Sequence, residues 1–287
     1  VKTRNVAAVT MAYGEHFIEK WIRHYGSQIG AENLFVISHG ASDFHNRACA
    51  GVNHVTVPRA VCDTIERHRA TLLSDFANAL LESYHCVIVA DTDELIAVDP
   101  DAGLPLKDYL LSRDGGAAAG LGFNIFQPDP GRAIDWSRPV LEQAHLMQFS
   151  APFSKPALRW ERCQHTPGGH GLRDRKFAVD ENLYLFHLKF CDAAAFGHFD
   201  RVAEDFAREL GERQQAPSNH IRHWLAGSDH AKATVERWSR RPAGIMAPRD
   251  AARGCYEMGD FGSEGAVVQR TGQGPVFSIE ERYRALA

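Results

Sequence analysis

Three carboxylates fall within four residues in Val87-Ile88-Val89-Ala90-Asp91-Thr92-Asp93-Glu94. The apolar run has strand character, and it delivers Asp91 and Asp93, one residue apart, onto a turn. Carboxylates crowded this closely repel one another unless a cation is present. A hard divalent ion, Mn²⁺ or Mg²⁺, takes oxygen ligands of this kind and often bridges them to a diphosphate. Later in the chain, Tyr184-Leu185-Phe186-His187-Leu188-Lys189-Phe190 reads as a strand. Its period of two puts His187 and Lys189 on one face and Leu188 and Phe190 on the core side. His187 is therefore expected within ligand distance of the ion, and Lys189 beside a diphosphate. Lys155 and Arg159, four apart in an extended segment, also share a face and suit a phosphate clamp. His170 sits in the glycine-rich stretch Thr166-Pro167-Gly168-Gly169-His170-Gly171, and Asp129 in Gln127-Pro128-Asp129-Pro130-Gly131.

These side chains need a scaffold, and the hydrophobic pattern supplies one. Val6–Met11, Leu34–Ser38, Val52–Val57 and Cys86–Ala90 read as buried strands. Between them, Glu15 to Gly30 carries Phe17, Ile18, Trp21, Ile22 and Tyr25 at helical spacing. A longer helix is expected from Asp63 to Tyr84, with Asp63 or Thr64 as its N-cap. Strands alternating with helices predict an α/β fold with a mostly parallel sheet, in which ligands bind beyond the carboxyl ends of the strands. Tyr13-Gly14-Glu15, Ser38-His39-Gly40 and Asp91–Glu94 stand at three such ends. Ala117–Gln127 and Leu183–Phe190 are further strands. Helices are expected over 193–213 and 219–238, followed by a Gly-, Pro- and Arg-rich tail. The expected division is a catalytic core over 1–190, its nucleotide half about 1–100, and a helical C-terminal extension with a tail over 191–287. His220 and His223, three apart on the second of these helices, read as surface residues.

The 287 residues are 44% hydrophobic and 24% charged, a globular composition that excludes disordered and coiled-coil classes. The net charge of −4 argues against a nucleic-acid partner. The charge is uneven: −6 over residues 1–130, +4 over 131–176 and −2 over 177–287. An acidic half followed by a basic segment suits a metal ion together with a polyanionic ligand. The six cysteines are scattered, with no CxxC pair, as expected of free thiols in a cytoplasmic protein. No apolar run reaches the length of a membrane span, which leaves peripheral membrane association as the mode open to the chain. The opening Val-Lys-Thr-Arg-Asn has no signal-peptide pattern and no initiator Met, so the numbering is open to a start inside a longer protein.

The order and spacing of three segments resemble the GT-A glycosyltransferases, close to their family-2-like group. The segments are Val9-Thr10-Met11-Ala12-Tyr13-Gly14-Glu15, Ile37-Ser38-His39-Gly40-Ala41-Ser42-Asp43, and the D-x-D of Asp91-Thr92-Asp93. The resemblance covers about residues 5–100. It implies a Rossmann-like nucleotide-sugar-binding core with a mixed sheet. It also implies that Tyr13 stacks on the base, that the second-strand turn with His39 and Asp43 edges it, that Asp91 approaches the ribose or the metal, and that Asp93 is the principal metal ligand. A later histidine, here His187, is an added metal or phosphate contact in many such enzymes. Ser38 and His39 depart from the two aspartates usual in the family, which bears on which nucleotide is held.

The reading is metal-dependent transfer of a sugar, of hexosyl type, from a nucleotide-diphosphate sugar to a hydroxyl of a saccharide or glycoconjugate, as in bacterial-type polysaccharide synthesis. An inverting course needs a general base at the acceptor hydroxyl, with Asp129 and His170 as candidates. Two alternatives use the same carboxylates: a sugar-phosphate nucleotidyltransferase, which would favour a glycine-rich basic loop after the first strand, and a non-catalytic nucleotide-sugar-binding domain. The sequence leaves the oligomeric state open.

Overall fold

The computed structural model describes residues 3–14, 16–62, 64–129, 132–211, 222, 225–241, 243–260, 265–272 and 274–287. Glu15, Asp63, Pro130, Gly131, His220 and His223 lie outside the described residues.

The first half is built of β1 (Thr3–Ala12), α1 (Ile18–Ile29), β2 (Leu34–His39), α2 (Asp43–Ala48), β3 (Asn53–Val57), α3 (Ile65–Leu80) and β4 (Tyr84–Val89), as its hydrophobic pattern predicts except for the short α2, which the pattern does not announce. β1 runs parallel to both β2 and β4, and β3 extends β2 in parallel. Both faces of β1 are covered. Val6 and Ala8 pack on the side of Ile18, Trp21 and Tyr25 from α1. Ala7 and Val9 pack on the side of Leu73 and Ala77 from α3. This two-sided burial explains why the strand is apolar throughout rather than alternating. Thr64 precedes α3 but makes no side-chain cap; its hydroxyl lies 3.2 Å from His68 Nε2.

After the carboxylate turn the chain reverses into β5 (Glu94–Val98). It continues through α4 (Leu106–Leu111), β6 (Ala117–Phe126), α5 (Val140–Gln143), β7 (Leu146–Phe149), β8 (Leu158–Arg159), β9 (Gly171–Leu172) and β10 (Ala178–Phe190). β10 pairs parallel with β6 and antiparallel with β5, so the sheet is mixed. Then come α6 (Ala193–Leu210), α7 (Asp229–Ser239), β11 (Gly244–Met246), α8 (Pro248–Ala252), β12 (Tyr256–Asp260), β13 (Ala266–Arg270) and β14 (Val276–Ile279). α6 comes where the pattern predicts a helix, whereas the stretch expected as a second helix over 219–238 is broken by a turn at 226–228, and α7 begins at Asp229. The tail differs, because it returns to strand. Among the described residues β11 and β14 join the main sheet of eleven strands through β7, and β12, β13 and β9 form a second sheet of three. These tail strands are three to five residues long, too short to show a period in sequence. No helix among the described residues is long and apolar enough to cross a membrane.

Gly122 in β6 lets the turn that leads to Lys155 pack flat against the strand. A Cβ on Gly122 would lie 2.2 Å from the backbone carbon of Phe153. The bare strand thus admits the Ala151–Phe153 turn, fixed by Ser150 N donating to Gly122 O and Gly122 N donating to Ser154 Oγ, both at 2.9 Å. Lys155 follows directly from that turn. α1 secures the other side: Tyr25 donates to the Glu94 carbonyl at 3.1 Å and accepts from Ile96 N at 3.0 Å, and His24 Nε2 donates to Ile96 O at 2.8 Å. These bonds satisfy backbone groups of β5 that would otherwise be buried without partners.

Candidate active site

β4 ends at Val89, and the turn after it presents oxygen atoms of Asp91, Asp93 and Glu94 that all lie within 4.8 Å of one another. The turn is tied internally. Glu94 N donates to Asp91 O and Asp91 N donates to Glu94 Oε2, both at 3.0 Å. Leu188 N donates to Asp93 O at 2.8 Å, which sets β10 against the turn. The register then places His187 opposite Glu94 on one side and opposite Asn124 on the other.

The three acids are not equivalent. Asp91 is held by Lys155 Nζ at 3.0 Å and by Arg69, which also reaches Glu66 at 3.0 Å. Lys155 bridges onward to Glu94 at 2.5 Å. Asp93 instead meets His187 Nε2 at 3.2 Å. Desolvation works against ionisation of Asp93. His187, Lys155 and Lys189 outweigh it and hold the carboxyl well below the usual carboxylate range. His187 Nδ1 donates to Asn124 Oδ1 at 2.8 Å, and the ring stacks on Phe153 with centroids 3.8 Å apart. With Nδ1 committed to Asn124, Nε2 is the nitrogen left for a proton or a metal, the arrangement typical of a ligating histidine. Lys189 lies on the same side, its Nζ 4.7 Å from the Phe199 ring centre, and desolvation lowers its pKa while Asp93 raises it. Oxygen donors with one imidazole suit Mn²⁺ or Mg²⁺.

The other expected residues divide. Arg159 is not available to a phosphate. It is fully buried and donates to Ser74 O at 3.3 Å, Cys163 O at 3.1 Å and His165 Nδ1 at 2.8 Å. His165 Nε2 in turn donates to Pro156 O at 3.0 Å. Arg159 therefore braces the segment that carries Lys155. The shared strand face fails because only Leu158–Arg159 is strand and the chain turns at Lys155, whose carbonyl accepts from Ala157 N at 2.7 Å. Tyr13 does not offer an open ring. Arg59 lies 3.5 Å over it, Phe206 meets its edge, and its hydroxyl donates to Asp205 at 2.6 Å. The cause is α6, which folds across the strand ends and is anchored by Arg59–Glu209 at 2.6 Å. His39 accepts from Ala60 N at 3.1 Å. Asp43 is exposed in the first turn of α2, whose cap is Ser42. His170 Nδ1 donates to Pro152 O at 2.6 Å, and desolvation followed by Lys155 lowers its pKa to about 4. Asp129 is exposed, its carbonyl accepts from Arg132 N at 3.2 Å, and it is not a member of the carboxylate group.

Several residues of the site escaped the sequence reading. Arg69 lies on a helix otherwise read for its apolar stripe. Asn124 is a polar residue in an otherwise apolar strand, which was the available signal. At Ser38, where the resembling family carries an aspartate, the hydroxyl contacts His45 Nδ1 at 2.9 Å and His54 Nε2 at 2.7 Å, and His45 Nε2 donates to Gly14 O at 2.7 Å. That network locks the turn after β1.

No family model and no curated protein matches the chain. Among solved structures, one described as a crystal structure of 4-diphosphocytidyl-2C-methyl-D-erythritol synthase is similar at 15% identity over 84% of this chain and 88% of that chain, with a TM-score of 0.29. A mycobacterial protein is similar at 15% identity over 96% of this chain and 85% of that one, with a TM-score of 0.33. Likenesses this slight carry no functional argument, and the site is read from its own geometry.

Proposed function

We propose that the chain is a metal-dependent glycosyltransferase that uses a nucleotide-diphosphate sugar. The observation that carries this reading is the meeting of the Asp91–Asp93–Glu94 turn with His187 and Lys189, which stand almost a hundred residues away in sequence. Asp93, Asp91 and His187 would hold the ion. When bound, the ion supplies Lewis-acid neutralisation of the departing diphosphate. Lys189 would stabilise the same developing charge from the side of β10. Arg69 pairs with Asp91, and Lys155 with both Asp91 and Glu94, which leaves Asp93 as the carboxylate facing the imidazole. Of the two base candidates, His170 is the one set close to this group, near enough for Lys155 and His187 to act on its pKa. Its Nε2 is unprotonated at neutral pH, although its low pKa makes it a weak base.

Nucleotidyl transfer from a nucleoside triphosphate to a sugar phosphate is the second reading, because the same carboxylates serve it. Product analysis separates the two. Incubation with Mn²⁺ and a panel of nucleotide sugars should release nucleoside diphosphate, whereas nucleoside triphosphates with sugar phosphates should release no pyrophosphate. Pyrophosphate release alone would transfer the assignment to the second reading. Neither product, with no Mn²⁺-dependent thermal shift by nucleoside diphosphates, would sink both.

A further inference from the structure

The cavity directly against the carboxylates, lined by Arg69, Asp91, Glu94 and Lys155 among others, holds about 30 Å³, room for a water but not for a sugar. On the other side of His187 the space is different. A cleft of about 400 Å³ opens between β6, β7, β10 and α7, and its lining includes Asn124, Phe190, Trp238, Arg237, Arg241 and Arg270. Asn124 joins it to the carboxylate site, since Asn124 accepts from His187 and His187 meets Asp93. Phe190 and Trp238, with ring centres 5.0 Å apart, form an apolar wall. The three arginines give it charge. Arg241 donates to Gly274 O at 3.1 Å and Arg270 to Gly272 O at 2.7 Å, so both guanidiniums are anchored through backbone on one segment. Among the described residues none of the three forms an ion pair, although the chain as a whole is acidic. Guanidiniums set around an apolar wall favour a ring that carries a carboxylate or a phosphate.

We propose that this cleft is the acceptor site and that it selects a saccharide bearing an anionic group, a hexuronate or a sugar phosphate. The inference rests on the glycosyltransferase reading, for which the cleft supplies the second substrate.

The test compares methyl glucuronide, glucose 6-phosphate and methyl glucoside by isothermal titration, in wild type and in an Arg237→Gln/Arg270→Gln variant. Both substituted side chains are exposed, so the variant should fold. The thermal shift given by Mn²⁺ with nucleoside diphosphate is followed in parallel as a readout of the carboxylate site. At least one anionic sugar should bind wild type tenfold or more tightly than the glucoside, and the double variant should lose that preference. The tighter of the two anionic sugars identifies carboxylate or phosphate as the recognised group. Equal binding of charged and neutral sugars, no binding of any, or a preference that survives the double substitution would overturn the proposal. An arginine-dependent preference without any Mn²⁺–nucleotide shift would leave an anionic-saccharide site and remove the glycosyltransferase reading instead.

Discussion

Asp93 and Asp91 are separated by one residue and differ in what surrounds them. Asp91 is neutralised by Lys155 and Arg69, whereas Asp93 faces His187. Asp93→Asn keeps the side-chain volume and removes the charge. The Mn²⁺-dependent rise in Tm with nucleoside diphosphate should disappear, and the fold should lose about 1–3 kcal/mol through the weakened His187 contact. A wild-type response to Mn²⁺ in this variant would remove Asp93 from the metal set. Arg159 makes the opposite point. Arg159→Ala leaves buried carbonyls and His165 without their donor, and should cost about 3 kcal/mol or more in urea unfolding. Unchanged stability would contradict its role as a brace. Lys155 and Arg159 looked equivalent in sequence, as cations four apart. A turn centred on Pro156 sends the first to the carboxylates and the second into the core; the proline marks the break in the strand, but not which cation goes where.

At the scale of elements, β6 and α6 decide how the site is reached. Gly122 is a strand residue with the backbone of Phe153 against it. Gly122→Ala must push that turn away, with an overpacking cost of about 1–3 kcal/mol. Because the turn carries Phe153 against His187 and leads to Lys155, metal affinity should fall along with stability. A variant that loses stability but binds Mn²⁺ as wild type does would separate the turn from the site. α6 lies over Tyr13 at the end of β1, held by Tyr13–Asp205 and Arg59–Glu209. A base that stacks on Tyr13 must displace that contact. An Asp205→Asn/Glu209→Gln variant should therefore bind nucleoside diphosphate about three- to tenfold more tightly, the equivalent of ~0.7–1.4 kcal/mol of released tether. Weaker binding in titrations would show that α6 supports the nucleotide rather than covering its place. The helix itself was legible from its hydrophobic period; where it lies was not, since amphipathic spacing says which face is buried and not against what.

The molecule as a whole is sensitive to acid through its buried histidines. Desolvation, opposed by the Ile96 bond, lowers the His24 pKa from 6.5 to about 4. His198, packed over Gly14, is lowered to about 4 by desolvation and then by His16. Between pH 6.5 and 4 the unfolded chain binds protons that the folded chain excludes, so stability is full above about pH 6.5 and is lost as pH falls toward 4. His24 alone, 7% exposed, should account for roughly 2–3 kcal/mol of that loss. Urea unfolding from pH 7.5 to 4.5 should show the decline, and His24→Gln should flatten it. A profile without slope in this window would mean that α1 can release β5 and solvate the imidazole.

The sequence by itself determined the parallel half of the sheet, the helices that cover it and the turn on which the acids stand. Those features are written in continuous apolar runs, in the helical period of 3.6 and in residues that terminate strands, all within a dozen neighbouring positions. Tertiary structure alone decided that β10 joins β5 and β6 in a register that sets His187 between Asp93 and Asn124. It also decided that Lys155 turns toward the acids while Arg159 turns inward, and that α6 crosses the carboxyl ends of the first parallel strands. Each of these depends on pairings between segments separated by tens to well over a hundred residues, where burial and charge are balanced over the whole core and no short stretch of chain carries the instruction.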